Sequence, residues 1–264
     1  MSDEDDLPFG LGGAREPHTV VHSYRPEKPQ LPKRFYKVAQ AGEGEAGYRV
    51  LLDGRPIRTP AKRVLEVPVP RLAEDIAAEW DAQSDEIDPA GMPLTRLANS
   101  ALDRVAPARE AILAEIANYA ESDLICYRAD APPLLVERQS LHWDPLVAWA
   151  EEEFGIALKS TTGLLHVAQD EAVCARIEQA VAALDDFNLT GIADALTLTG
   201  SPVIAWALYR RHLGAEEAYR AAHLEEEVQL EVWGSDQEAE QRLAQRRQGL
   251  VATARFFELL RSAT

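Results

Sequence analysis

The hydrophobic pattern changes its period near Pro70, and this change limits the possible folds more than any other feature. Before it, "YRVLLDGRPIRTP" places Asp53-Gly54 between two β-favouring runs, which is typical of a tight hairpin. After it, "PRLAEDIAAEWDAQ" carries apolar residues at helical spacing, and a helix tolerates proline at its first position. A small antiparallel sheet with helices packed on it is therefore predicted, which is an α+β fold.

Three segments are predicted along the chain. Residues 1–30 form an acidic, proline-rich tail, 31–125 an α+β domain with the antiparallel sheet, and 126–264 an all-α helical domain. The last segment consists of long helical patterns separated by short breaks. One break is Ser201-Pro202, where serine is expected to cap a helix that proline begins.

The charge balance excludes some classes of partner. The 264 residues carry a net charge of −17, so binding to nucleic acid or to an anionic membrane surface is not expected. The exception is the stretch from Lys33 to Arg71, which holds nine basic and four acidic residues. Cys126 and Cys174 form no CxxC pair, so neither a disulfide framework nor a zinc site is predicted.

The N-terminal sequence and the hydropathy bear on location. "MSDEDDLPFG" has neither the apolar core of a secretory signal nor the arginine-rich character of a transit peptide. No apolar run reaches the length needed to span a bilayer. These features predict a protein of the bacterial cytoplasm without membrane insertion.

Motifs that carry catalysis are missing from the sequence. It contains no P-loop, no HExxH pair and no GxSxG, and "AGEGEAG" is followed by no helix that could hold a phosphate. Catalytic residues, metal ligands and cofactors are therefore all predicted to be absent. A carboxylate- or metal-dependent hydrolase stays open as an alternative, because acidic residues occur in runs.

The run "HLEEEVQLEVWG" raises the question of what adjacent carboxylates do. If residues 215–232 form one helix, Glu225 falls in an apolar stripe, whereas Glu226 and Glu227 turn towards water. A buried carboxylate needs a partner, since desolvating an ion costs several kcal/mol. Two explanations stay open: an internal salt bridge, to the basic hairpin or to Arg210-Arg211, and a docking face for another protein.

An ordered set of segments resembles one known family. The segments are "LLDGRPIRTPAKRVLEVP", "AAEWDAQ", "MPLTRLANSALDRV", "DLICYRA", "WDPLVAW", "LTGSPVIAWAL" and "LEEEVQLEVWG". Together they are similar to the assembly chaperones of the F1 sector of F-type ATP synthase, of the type that binds the alpha subunit. The resemblance covers roughly residues 30 to 250 in order.

The resemblance implies a non-enzymatic role. Such a chaperone, here expected to be monomeric, would shield the free alpha subunit until the beta subunit displaces it. A generic protein-interaction adaptor is the other alternative to be weighed. The positions that match the family's partner-binding pattern are Glu225, Glu226, Glu227, Gln229 and Trp233. Trp80 matches the tryptophan of the family's first helix, and its apolar stripe favours a structural anchor over an interface residue.

Overall fold

The structure, a computed structural model, describes residues 31–163, 165–234 and 236–261. The predicted tail, residues 1–30, lies outside these ranges. The strands are β1 (Ala39–Glu43), β2 (Tyr48–Leu52), β3 (Arg55–Pro56), β4 (Glu66–Val67), β5 (Tyr127–Arg128) and β6 (Thr161–Thr162). The helices are α1 (Pro70–Asp81), α2 (Pro93–Ser100), α3 (Arg109–Glu121), α4 (Pro133–Phe154), α5 (Glu171–Ala182), α6 (Asp186–Thr199), α7 (Pro202–Arg210), α8 (Ala215–Ala222), α9 (Leu224–Trp233) and α10 (Gln237–Arg261).

The N-terminal sheet is antiparallel, with β2 pairing with β1, β3 and β4. Asp53 and Gly54 connect β2 to β3 with φ angles of 49° and 80°, the left-handed conformations that a type I′ turn needs. The Asp53 carboxylate also accepts hydrogen bonds from the backbone N–H groups of Lys37 and Val38, which lowers the pKa of that carboxyl. The predicted hairpin and the α+β fold class are confirmed.

Helix α1 covers one face of this sheet. Leu72 and Ile76 are fully buried against Val50 of β2, so the helical stripe and the strand pattern share one core. Trp80, at the end of α1, is half-buried and packs at this core. Its ring contacts the ring of Tyr36 edge-on at 5.7 Å between centroids, and its carbonyl accepts a hydrogen bond from the Tyr36 hydroxyl.

Helix α10 takes part in two hydrophobic cores through adjacent residues. Phe256 packs into the core of the sheet and α1, and Phe257 packs into a second core formed by α3 to α9. Trp143 of α4, which is 1% exposed, is one of two buried tryptophans in the second core, with Trp206. Residues 32–264 form one compact unit by their contacts. The predicted boundary near residue 125 stays a prediction.

The helix following α2 begins later than predicted. The sequence pattern predicts helices over 93–104 and 107–121, with Pro107 at the start of the second. They are found as α2 and α3, joined by a π-helical turn at 101–105 and a 3-10 turn at 106–108. Pro107 lies in the 3-10 turn rather than at the start of α3.

In the described part of the chain, no helix is both long enough and apolar enough to cross a bilayer.

A buried carboxylate joins α3 to α7. Asp123 accepts hydrogen bonds from the Ser201 hydroxyl at 2.6 Å and from the backbone N–H groups of Val203 and Ile125 at 3.0 and 3.1 Å. Ser201 in turn caps α7 by accepting from the N–H of Ile204, so the predicted cap is confirmed. Burial raises the pKa of Asp123 to about 6, although the three hydrogen bonds act to lower it.

Two helical glycines provide a matched test of how closely the helices pack. A Cβ on Gly191 of α6 would overlap the ring of Phe257, which is buried, whereas a Cβ on Gly249 of α10 would meet only the methyl tips of Leu198. Gly191→Ala is expected to lower the free energy of unfolding by about 1–3 kcal/mol through overpacking. Gly249→Ala should change it little, because higher helix propensity offsets the contact. Urea denaturation of both variants is the measurement, and equal effects would contradict this packing.

Candidate functional site

The candidate site is built on α9, the helix that contains the glutamate run. Helices α8 and α9 are separated at His223, whose φ of −124° and ψ of 27° interrupt the helical path. The imidazole is 2% exposed and contacts the ring of Tyr219 at 4.9 Å between centroids. Residues 215–232 therefore do not form the single helix predicted from the sequence.

This interruption changes which glutamate faces the protein. The predicted phase is wrong: Glu225 is exposed, whereas Glu226 and Glu227 are half-buried. The physical reason is that an interrupted helix restarts its periodicity, so positions counted from α8 no longer predict faces on α9. The predicted apolar stripe included Val228 and Val232, of which Val228 is buried and Val232 is exposed.

Glu225, Gln229 and Trp233 occur at intervals of four residues and lie along one face of α9. With Val228 and Val232 they line a cavity of about 250 Å³ whose opposite wall is the segment 129–135. We call the face made by Glu225, Gln229, Val232 and Trp233 the outer face of α9. It brings three of the five predicted partner-binding residues together.

Glu225 has no cationic partner within the described residues. Its carboxylate only accepts a long hydrogen bond, 3.4 Å, from the amide of Gln139 on α4. Arg138 of α4 pairs instead with Glu231 at 2.6 Å, and Arg210, a partner considered from the sequence, pairs with Glu153 at 2.8 Å. The internal salt bridge considered from the sequence is therefore not formed, and the carboxylate is available on the surface.

The C-terminal end of α9 is apolar and exposed. Trp233 is 79% exposed and Val232 is 53% exposed, although both are large hydrophobic residues. Helix α9 ends there because Gly234 follows with a φ of 90°, a conformation that favours glycine. Exposed apolar patches and large aromatic residues are typical of protein-binding surfaces.

The two other glutamates lie on the opposite side of the helix. Glu226 pairs with Arg246 of α10 at 3.2 Å, so it helps to hold α9 against the long helix. Glu227 lines a groove of about 890 Å³ between α8, α9, α10 and the start of α2. The five predicted residues thus divide into an outer-face group and a group that faces α10.

Chemical groups for catalysis are not assembled at either place. Within the described residues, no cluster of three or more histidine, cysteine, aspartate or glutamate side chains could hold a metal ion. Cys126 is buried beside Asp123, and burial raises the pKa of its thiol to about 12, so it is a poor nucleophile. The site offers contact surface, not reactive groups.

Comparison with known proteins identifies the family. The family profile described as "ATP12 chaperone protein" matches residues 33–151. The crystal structure of a lysine-for-aspartate mutant of Atp12p from Paracoccus denitrificans is 43% identical, with a TM-score of 0.82, over 87% of this chain and 98% of that one. The chain belongs to the ATP12 chaperone family.

Two further similar proteins agree with this result. The protein atp12, mitochondrial, of Schizosaccharomyces pombe is 24% identical over 219 residues, which are 78% of this chain and 75% of the relative. The structure of the Atu1473 protein of Agrobacterium tumefaciens is 38% identical, with a TM-score of 0.83, over 88% of this chain and 87% of that one. Membership of the ATP12 family makes the protein a chaperone for assembly of the F1 sector of ATP synthase. The resemblance and the non-enzymatic class are confirmed, and the hydrolase alternative is set aside.

Sequence reasoning missed several features of this region. The pairing of α9 with α4 through Arg138 and Glu231, and the cavity wall at 129–135, join segments about ninety residues apart. No local motif signals such contacts. The buried Asp123 was also missed, although its place before a short apolar run is typical of a helix cap.

Proposed function

We propose that this ATP12-family chaperone binds the free alpha subunit of the F1 sector and shields it until the beta subunit displaces the chaperone. The contact would be made by the outer face of α9. The observation that carries the proposal is Trp233, a large aromatic residue exposed to water at the end of the helix whose first turn carries the unpaired Glu225.

The composition of this face suits such a role. An unassembled subunit exposes a surface that is meant for its neighbour, and exposed apolar surface promotes aggregation. Trp233 and Val232 can cover an apolar patch, and Glu225 can meet a cationic group there. Because the exposed apolar part is small, the contact is expected to be modest in area and therefore displaceable.

The two glutamates on the side of α9 that faces α10 are expected to contribute less to this contact. Glu226 is held in an ion pair with Arg246, so its role as a partner-binding residue would require that pair to open. Glu227 would reach a partner only through the groove beside α10.

We further propose that the chaperone acts as a monomer in the cytoplasm of a bacterium, in keeping with its composition.

Charge reversal at Glu225 tests the electrostatic part of the proposal. Glu225→Lys is expected to weaken binding of the purified alpha subunit at least about tenfold, because it replaces an attraction with a repulsion. The melting temperature should hardly change, since the carboxylate is exposed and has no ion pair within the described residues. Biolayer interferometry and thermal melting are the two measurements.

The matched control is Glu152→Lys. Glu152 belongs to the other run of three glutamates, at the end of α4, and it is likewise exposed. It changes the net charge by the same amount but lies outside the outer face of α9. If both variants weakened binding of the alpha subunit to the same extent, net charge and not this site would govern the contact. If Glu225→Lys kept wild-type affinity, the electrostatic part of the proposal would be wrong.

A further inference from the structure

A second cavity lies in the N-terminal part of the fold, among residues that the proposed alpha-subunit contact does not use. It measures about 580 Å³ and is bounded by the loop 58–60, the end of α1 and one side of α2. We call it the Trp80 cavity. None of its lining residues belongs to α8, α9 or α10. Its walls are largely apolar and include Trp80, Ile87 and Met92.

The rim of the Trp80 cavity is positively charged, although the chain as a whole carries −17. Three arginines line it, Arg58, Arg96 and Arg104, against the single carboxylate of Asp103. That carboxylate accepts hydrogen bonds from the Thr59 hydroxyl and the Ala61 N–H, both at 2.8 Å, so its oxygens are engaged in fixing the loop.

Two of these arginines are available to a ligand. Arg104 is exposed and makes no ion pair within the described residues. Arg58 is also exposed, and its guanidinium donates only to the carbonyl of Lys62, at 2.8 Å. Arg96 differs, because it is paired with Asp194 at 2.9 Å. Arginine is the residue that proteins favour for binding carboxylates, and a guanidinium that has no carboxylate partner is free to do so.

Two residues that line the cavity also have a buried polar atom without a partner. The indole Nε1 of Trp80 and the amide Oδ1 of Asn99 are shielded from water and have no hydrogen-bond partner within the described residues. One is a donor and the other an acceptor, and such unpaired atoms are uncommon and costly in proteins.

We propose that the Trp80 cavity binds a short segment of a partner protein in which an apolar side chain is flanked by carboxylates. The apolar side chain enters the cavity beside Trp80 and Met92, and the carboxylates meet Arg58 and Arg104. This site is separate from the outer face of α9 and has the opposite charge preference, so either proposal can fail without the other.

The test uses the full-length protein and a fluorescein-labelled peptide, Glu-Asp-Leu-Phe-Glu-Asp, with fluorescence anisotropy as the readout. The control peptide, Lys-Lys-Leu-Phe-Lys-Lys, has the same apolar centre and the opposite charge. The titration is made at 150 mM salt, where screening over about 8 Å leaves mainly the charges near the cavity to act on the peptide. Saturable binding of the acidic peptide, with much weaker binding of the basic one, is expected.

Variants separate this site from non-specific attraction. Arg104→Glu is expected to weaken binding of the acidic peptide at least about tenfold, and Arg58→Glu is a second variant of the same rim. Arg71→Glu is the matched control, because Arg71 is exposed on α1 but does not line the cavity. Its affinity should stay within about twofold of wild type. Circular dichroism establishes that each variant is folded.

Trp80→Phe tests the role of the indole as an apolar wall, since phenylalanine keeps an aromatic ring but is smaller. Its affinity for the acidic peptide should fall by a factor of about 3 to 10, because less apolar surface is buried against the peptide. The proposal is overturned if the acidic peptide shows no saturable binding, if the basic peptide binds equally well, or if the Arg104 and Arg58 variants retain wild-type affinity.

Discussion

Replacement of Trp233 by alanine is expected to weaken binding of the alpha subunit at least about thirtyfold, because an exposed tryptophan at a contact typically contributes 2 kcal/mol or more to binding. The side chain is 79% exposed in the free chaperone, so its removal leaves no cavity in the core. The free energy of unfolding should therefore stay within about 0.5 kcal/mol of wild type. A calorimetric titration with purified alpha subunit and a urea denaturation measure the two quantities.

The control for this variant is Phe35→Ala. Phe35 is 75% exposed and is also aromatic, but it precedes the N-terminal sheet and has no place on α9. Its loss should leave the affinity for the alpha subunit unchanged. Equal losses of affinity in the two variants would mean that any exposed aromatic residue contributes, and the assignment of the contact to the outer face of α9 would be wrong.

The second large effect is expected for Asp123→Ala, which should destabilise the fold by at least about 3 kcal/mol. The substitution leaves the Ser201 hydroxyl and the N–H groups of Val203 and Ile125 without their acceptor. Each buried donor without a partner costs about 1–3 kcal/mol. For a domain of this size the melting temperature should fall by roughly 6–12 °C.

The cost of this variant is expected to depend on pH. The pKa of Asp123 is about 6 in the folded protein and 3.8 for the ordinary carboxyl, so the folded state holds the proton more tightly. Stability from this group is therefore fully present below about pH 4 and falls as the pH rises towards 6, by roughly 1.4 kcal/mol per unit. The difference in unfolding free energy between wild type and Asp123→Ala should thus be larger at pH 5 than at pH 7.

Urea denaturation of both proteins at several pH values between 5 and 8 measures this difference. Other carboxylates titrate in both proteins alike, so subtraction isolates Asp123. A difference that stayed constant, or that grew as the pH rose, would show that the folded protein does not hold the proton on this carboxyl. A small effect of Asp123→Ala at every pH would instead contradict its role in joining α3 to α7.

Features that depend on neighbours in the sequence could be predicted. The hairpin at Asp53-Gly54 follows from the left-handed turn that these two residues accept, and the starts of α1 and α7 follow from proline at the first helical position. The end of α9 at Trp233 follows from the glycine after it. In each case the physical cause lies within about four residues.

Features that depend on distant contacts could not be predicted in the same way. The interruption at His223 has no glycine or proline to signal it, and the imidazole is held by burial against Tyr219. A prediction that treats 215–232 as one uninterrupted helix therefore turns Glu225 towards the protein and Glu226 and Glu227 towards water, which is the reverse of what is found. The pKa of Asp123 likewise depends on Ser201, which lies 78 residues further along the chain. Sequence periodicity identifies the important helix, and the tertiary fold decides which side chain faces water.

Hydrogen exchange of the chaperone, alone and in complex with the purified alpha subunit, tests the central proposal most directly. The proposed contact predicts slower exchange of backbone amides in 224–233 and in the facing segment 129–135, with little change in the strands of the N-terminal sheet. Formation of the complex without any protection of these two segments would contradict the contact. A failure of the alpha subunit to bind the wild-type chaperone would contradict the proposed partner.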